Sequence, residues 1–556
     1  MGLEREVIEK MDRNKLFFGD NLDILRNYIK DESVDLIYLD PPFNSNKIYN
    51  VIYSEENGTP SKSQMQAFDD TWCWNEHSAL AFQLLMEGGH EKVNNTMSAF
   101  REMLGECNLL AYLTMMASRL IEMHRVLKKT GSLYLHCDPT ASHYLKILLD
   151  SIFLPRNYQN ELVWCYRERE LNSRKYNPKH DIILYYVKNT NSDYVFNNSR
   201  ALTRYSNGTI EKFNYTDENG RKFQIRGKGS PYTKKQGLSI ELEKDHPELV
   251  YRDYFDKAGG VSPRDWLAPP MGNCYCPKCK NESADSQIYF SDQKVPSRYP
   301  FAPINRAAQE RMGYPTQKPE SLLKYIVGIS SNEGDVILDP FCGCGTTVSV
   351  AEQLKRKWIG IDITYLAIAL INNRLQTRFT ETNEYDIVGV PTSLNDAKAL
   401  ALHDRYQFQT WVILLANAFP RQKKGSDRGI DGFLNFHDDN SGKTKKILIQ
   451  VKSGKVKSGD IRDLVGTVER EKAVIGVFIT LEKPTSHMVR EATSAGFYKT
   501  PFVRKPFPKI QLLTVEEILN GKQIDYPFPE FSRVGMKKAP RFIDKDLMPS
   551  LFDKTK

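Results

Sequence analysis

Residues 335–363, DVILDPFCGCGTTVSVAEQLKRKWIGIDI, constrain the fold more than any other stretch of this chain. An apolar run ends on Asp339 and reads as a strand. Gly343 and Gly345 form a tight loop, and Thr346 and Thr347 open a helix. A second apolar run ends on Asp362, 19 residues after Gly343. A strand, loop, helix and strand in that order build a parallel α/β sheet. The glycines let a ligand approach the backbone, and an acid at the next strand tip can take ribose hydroxyls. A plain glycine turn is the competing reading. No third glycine completes a dinucleotide fingerprint, and no Lys-Ser/Thr pair follows the loop. A nucleoside without a pyrophosphate therefore fits better, and S-adenosylmethionine is such a ligand.

A second strand tip carries different chemistry. In VDLIYLDPPFNSN, residues 34–46, the apolar run meets Asp40, Pro41, Pro42 and Phe43. Proline donates nothing to a ladder, so Pro-Pro can simply stop a strand. Two prolines also fix the direction of the Pro41 carbonyl beside the Asp40 carboxylate. Two acceptors and the flat face of Phe43 suit a planar base with an exocyclic amino group.

Strand and helix patterns alternate from residue 15 to about 153, lapse over 155–310, and return from 316 to about 376. The sequence thus predicts one α/β domain over 14–154 and 311–376, interrupted by an inserted recognition region over 155–310. A linker over 377–403, a small α/β domain over 404–525 and a tail over 526–556 follow. At 556 residues the chain is too long for one core.

The net charge of +8 is uneven. Pro155 to Lys235 hold 16 Lys/Arg against 8 Asp/Glu, with aromatics interleaved, which suits a nucleic-acid surface. A solvated basic face is the alternative. No apolar stretch is long enough for a bilayer, and the first 15 residues lack the apolar core of a signal peptide. Nine cysteines argue against a disulfide framework. A cytoplasmic protein that acts away from membranes is the expectation.

Asp-Pro-Pro-Phe early, a basic insert, then YPTQKPESLLKYIV and DPFCGCGTT late, resemble the β group of DNA amino-methyltransferases over residues 14 to 376. GSLYLHCD, NELVWCY and KHDIILYYVK resemble further segments of that family. The resemblance implies a Rossmann-like sheet that binds S-adenosylmethionine and acts on duplex DNA. It implies that Asp40 and Pro41 accept hydrogen bonds from the target amino group while Phe43 stacks on a flipped base. Pro42 completes the motif. Phe341, Gly343, Gly345 and Thr346 belong to the cofactor loop, Asp339 lies near the methionine part and Asp362 near the ribose. Asp20, in FFGDNLDIL, lies near the adenine, and Lys318, in TQKP, sits on a segment closing over the cofactor. Asp at position 40 favours adenine N6, with cytosine N4 as the alternative. Phe43 in place of the more frequent Tyr weakens that assignment mildly. A homodimer is compatible with this reading.

Two features fall outside that resemblance. NCYCPKCKN places Cys274, Cys276 and Cys279 together. Three thiols are one ligand short of a structural zinc site, so a reduced loop cluster stands beside the zinc reading. In the C-terminal segment, Asp431 precedes one strand, and Gln450 and Lys452 share a face of ILIQVK. This resembles the Mrr-like restriction-nuclease fold, in which acids hold Mg²⁺ and Lys assists water. Gln450 stands in place of a carboxylate and Gln409 in place of a helix acid. A bifunctional methyltransferase–endonuclease and a DNA-binding remnant both remain open.

Overall fold

The computed structural model describes residues 13–42, 48–54, 60–69, 73–165, 180–197, 212–228, 230–254, 266–267, 304, 310–312, 314, 316–379, 384–421, 429–436, 444–500 and 503–527. The larger unit is built on one sheet. Its strands are β1 (Asn14–Phe18), β2 (Val34–Leu39), β3 (Leu127–Cys137), β4 (Tyr158–Cys165), β5 (His180–Val187), β6 (Trp266–Leu267), β7 (Val336–Asp339), β8 (Lys357–Asp362) and β9 (Tyr385–Val388). Their order across the sheet is β6-β4-β5-β3-β2-β7-β8-β1-β9.

From β3 through β9 every pairing is parallel. The other half is mixed, because β5 runs antiparallel to both β3 and β4. The sheet also crosses two boundaries expected from sequence. Residues 155–187 supply β4 and β5 rather than lying wholly in an insert. The expected linker over 377–403 contributes β9 at the edge and the helix Leu394–His403. Strand β9 is four residues long and polar residues interrupt β4, so their periodicity is weak, whereas β5 carries the unbroken apolar run Ile182 to Val187. Strand β9 pairs with the distant β1, Tyr385 opposite Asn14, whereas β4 and β5 pair with each other.

Apolar residues on alternate positions pack opposite faces of the sheet. Phe17, Ile37, Leu39, Leu133, Leu135, Leu338 and Ile361 meet α2 (Asn108–Val126) and the helix Ser142–Phe153. Leu16, Leu36, Tyr38, Tyr134, Ile337 and Trp358 meet α3 (Glu320–Ser330), α4 (Thr346–Gln353) and α5 (Tyr365–Arg378) on the other face. The short α1 (Asn21–Tyr28) follows β1, with Asp20 at its N-cap accepting from Leu22 N at 2.7 Å.

The C-terminal domain has a five-stranded sheet in sequential order: β10 (Phe419–Pro420), β11 (Gly432–Phe436), β12 (Lys445–Lys452), β13 (Ile475–Thr480) and β14 (Ile510–Thr514). Strand β11 is antiparallel to β12, whereas β12, β13 and β14 are mutually parallel. Helix α6 (Arg405–Leu415) packs Trp411 and Val412 on one face, and α7 (Ser458–Arg470) packs Ile461 and Leu464 on the other. This domain docks on the larger unit. Leu366 and Leu370 of α5 share an apolar cluster with Phe419, Ile430 and Phe433. Tyr365 N donates to Gln407 Oε1 at 3.4 Å across the same junction.

Candidate active site

The parallel half of the sheet brings three carboxylates to one edge. Asp40 follows β2, Asp339 ends β7 and Asp362 ends β8. Strand β7 lies between β2 and β8, with Leu338 beside Ile37 and Asp339 beside Gly360. Ligands of open parallel sheets bind at this carboxyl edge. A cleft there is lined by Tyr38, Asp40, Pro41, Pro42, Lys318, Asp339, Phe341, Gly343, Thr346 and Asp362, among others. Residues that are hundreds of positions apart in sequence are thus neighbours.

The loop from Pro340 to Gly345 is held by side chains on several sides. Gly343 has φ 51° and Gly345 φ 72°, the left-handed region that glycine adopts without penalty. Gly343 N donates to Asp362 Oδ2 at 2.9 Å. The other oxygen of Asp362 accepts from Thr364 N at 2.9 Å and Thr364 Oγ1 at 2.8 Å. Asp339 accepts from Phe341 N at 3.1 Å. Burial pushes both acids up, Asp339 to about 7 and Asp362 to about 6, with Asp40 and Asp362 adding to the effect at Asp339. Buried carboxylates at a strand edge favour a cationic, hydroxyl-bearing ligand. A nucleoside bearing a sulfonium and an ammonium group fits that set.

Asp40 and Lys318 form an ion pair, Nζ to Oδ2 2.5 Å, with both side chains largely buried. Sequence reasoning put Lys318 with the cofactor, and the structure adds this contact to Asp40. Phe43 lies outside the described residues, as do Cys274, Cys276 and Cys279. Asp20 is not among the described residues that line the cleft. It receives both a 2.9 Å and a 2.8 Å bond from Arg119 Nη2. Its neighbour Asn21 donates to the Pro340 carbonyl at 2.7 Å, so this corner braces the glycine loop.

Other supporting residues escaped the sequence reading. Arg374 donates from Nη1 to the Cys344 carbonyl at 3.1 Å and to Thr346 Oγ1 at 3.3 Å. Its Nη2 is held by Glu320 Oε1 at 2.8 Å, and Arg378 Nη2 reaches Glu320 Oε2 at 2.9 Å. These guanidiniums hold the Glu320 carboxyl at about 2 despite its burial. Glu320 reads in sequence as an ordinary acid in a first helical turn, and only burial shows its role. Behind Asp40, the Tyr38 hydroxyl meets His136 Nδ1 at 2.9 Å and His136 Nε2 meets Asp181 Oδ2 at 3.2 Å.

In the C-terminal domain Asp431 Oδ2 accepts from Val451 N at 2.7 Å, which places it beside Gln450 on β12. Gln450 is buried, and its Oε1 has no hydrogen-bond partner among the described residues. Asp431, Gln450 and Lys452 are therefore brought to neighbouring strand ends. No group of three or more His, Cys, Asp or Glu side chains suited to a metal occurs among the described residues. No helix among them is long and apolar enough to cross a membrane.

The basic region forms a small sheet of Tyr215–Thr216, Lys222–Gly227 and Val250–Tyr254. Lys222 and Lys228 are exposed. Arg221 lies over the Tyr254 ring at 4.1 Å, and Arg226 pairs with Asp253 at 3.2 Å.

Residues 405–520 match a model described as NACHT-associated inactive Restriction Endonuclease 1. The type II methyltransferase M.EcaI of Enterobacter cloacae is 28% identical over 407 residues, covering 70% of this chain and 74% of that protein. The DNA adenine methyltransferase YhdJ of Escherichia coli (strain K12) is 24% identical over 350 residues, covering 63% of this chain and 78% of the relative. The solved M1.HpyAVI–SAM complex aligns with 65% of this chain and 98% of its own at 14% identity and a TM-score of 0.30. Residues 34–373 match the family model N6_N4_Mtase, described as DNA methylase, and the chain belongs to that family.

Proposed function

We propose that this protein transfers a methyl group from S-adenosylmethionine to N6 of adenine in duplex DNA, as the modifying part of a restriction–modification or phage-defence system. The observation that carries this reading is the shared cleft. Asp40, Pro41 and Pro42 line the same opening as Asp339, Asp362 and the glycine loop. Asp at position 40 favours adenine over cytosine N4, and the adenine-specific name of the YhdJ relative supports the same choice.

The cofactor supplies an electrophilic methyl group on a sulfonium centre. Asp40 and the Pro41 carbonyl accept the two N–H hydrogens of the target amine. That draws the nitrogen lone pair out of conjugation and aims it. After attack, Asp40 is placed to take the surplus proton. With the cofactor bound, Asp362 would accept a hydrogen bond from a ribose hydroxyl while bracing Gly343, and Asp339 would lie toward the amino-acid end. Lys318 and Thr346 complete the lining. Phe43 is assigned the stacking face for the flipped base, which offsets part of an unpairing cost of a few kcal/mol. Alignment and fixed dipoles account for most of the rate.

The test is incubation of the full chain with labelled cofactor and duplex DNA, followed by nucleoside analysis. N6-methyldeoxyadenosine is expected, and its formation should be lost in Asp40→Ala while cofactor binding persists. Finding only N4-methylcytosine overturns the base assignment.

For the C-terminal domain the reading is DNA binding without cleavage. Gln450 in place of a carboxylate, the backbone bond to Asp431 and the match to a model described as inactive support it. Weak binding of Mg²⁺ by Asp431 belongs to the bifunctional alternative. A structural zinc at Cys274, Cys276 and Cys279 rests on their spacing, and metal analysis of the purified chain tests it.

A further inference from the structure

Lys318 is the one cationic side chain among the described residues that line the cleft, which also holds the carboxylates of Asp40, Asp339 and Asp362. Its ammonium lies 2.5 Å from Asp40, with side-chain exposures of 10% and 15%. The residues flanking it are held on both sides. Gln317 bonds Met312 N and the Glu310 carbonyl, each at 2.7 Å. Glu320 N donates to Glu310 Oε2 at 3.1 Å, and the Glu320 carboxylate is locked by Arg374 and Arg378. Only the flexible four-carbon stem of Lys318 can redirect its charge.

An amino-acid cofactor brings a carboxylate into this cleft. Placing that anion among Asp40, Asp339 and Asp362 requires a cation, because an uncompensated buried charge is costly. An Asp40 oxygen bound to an ammonium is also a poorer acceptor for a neutral amine. We propose that Lys318 is shared between the Asp40 carboxylate and the carboxylate of the cofactor's amino-acid end, so that filling the cofactor cleft releases Asp40 toward the target amine. This inference rests on the methyltransferase reading above. It makes the two sites compete for one cation. By linkage, cofactor and target DNA each raise the affinity for the other by the same factor.

The competition has an unusual consequence. Removing the Asp40 charge should tighten binding of a carboxylate-bearing ligand, although Asp40 lies in the reaction centre. Loss of a negative charge near a cationic ligand alone predicts the opposite. S-adenosylhomocysteine keeps the amino-acid end and lacks the sulfonium charge. 5′-Methylthioadenosine lacks the amino-acid end altogether.

The experiment is calorimetric titration of both compounds into the full-length wild type, Asp40→Asn, Lys318→Gln and the double variant. For S-adenosylhomocysteine, Asp40→Asn should tighten binding several-fold and Lys318→Gln should weaken it by about ten-fold or more, the scale of one charge-assisted hydrogen bond. The double variant should match Lys318→Gln. Methylthioadenosine binding should not respond to Lys318→Gln. Unchanged or weaker S-adenosylhomocysteine binding in Asp40→Asn overturns the proposal, as does tightening that persists without Lys318. Should Lys318→Gln fail to fold, the sign of the isosteric Asp40→Asn effect still decides. Failure of the wild type to bind either compound would instead remove the methyltransferase reading itself.

Discussion

Gly343 donates its backbone N–H to the Asp362 carboxylate at 2.9 Å, so the acid at one strand tip holds the loop that follows the neighbouring strand. The same carboxylate lines the cleft. Asp362→Ala should therefore lose a ligand contact and loosen the loop. Cofactor affinity should fall by about 1.5–3 kcal/mol, the scale of one hydrogen bond to a charged group. Calorimetry measures it, and unchanged affinity removes Asp362 from the site.

Gly345→Ala should be destabilising. The residue sits at φ 72°, and a Cβ there would lie 2.7 Å from Ile371 Cγ1. Strain and overpacking of this kind typically cost about 1–3 kcal/mol. A lower thermal midpoint and weaker cofactor binding should appear together. A midpoint equal to the wild type would contradict the packing.

Cofactor binding should strengthen with rising pH. Burial raises Asp339 to about 7 and Asp362 to about 6 from a usual 3.8. A cationic ligand prefers both ionised, so affinity should climb through this window and level off above about pH 7. The stability of the ligand-free protein carries the opposite sign. The folded state holds more protons than the unfolded state between the usual and raised values, so this contribution falls as pH rises across them. Titrations between about pH 5 and 8, in buffers of different ionisation enthalpy, should show proton release on binding.

Lys222 and Lys228 are exposed on the small sheet, whereas Arg226 is paired with Asp253. Replacing the two lysines with Ala should weaken DNA binding and flatten its salt dependence by about 0.9 log units of slope per lost phosphate contact. Salt titrations by fluorescence anisotropy measure the slope. An unaltered slope places this patch away from DNA.

The C-terminal domain should leave both unmethylated and premethylated DNA uncut in Mg²⁺ or Mn²⁺. Metal-dependent cutting that stops in Asp431→Ala or Lys452→Ala while methylation continues would establish the bifunctional reading instead. Gel analysis of the wild type and both variants separates these outcomes.

The sequence by itself determined the local chemistry. Apolar runs ending on Asp40, Asp339 and Asp362, with two glycines after the second, are chain-local signals, since strand period and turn chemistry act over a few residues. Tertiary structure decided what those tips meet. Parallel pairing of β2, β7 and β8 places Asp40 in the same cleft as Asp362, and no local rule specifies strand order. The Lys318–Asp40 pair joins residues 278 positions apart. Burial of Glu320 and Arg374 turns an ordinary helix-start acid and a helix arginine into the anchors of the glycine loop. The place of β4 and β5 was likewise a tertiary outcome: β5 carries a clear apolar run, Ile182 to Val187, but its antiparallel seat between β3 and β4 follows from pairing that no local rule specifies.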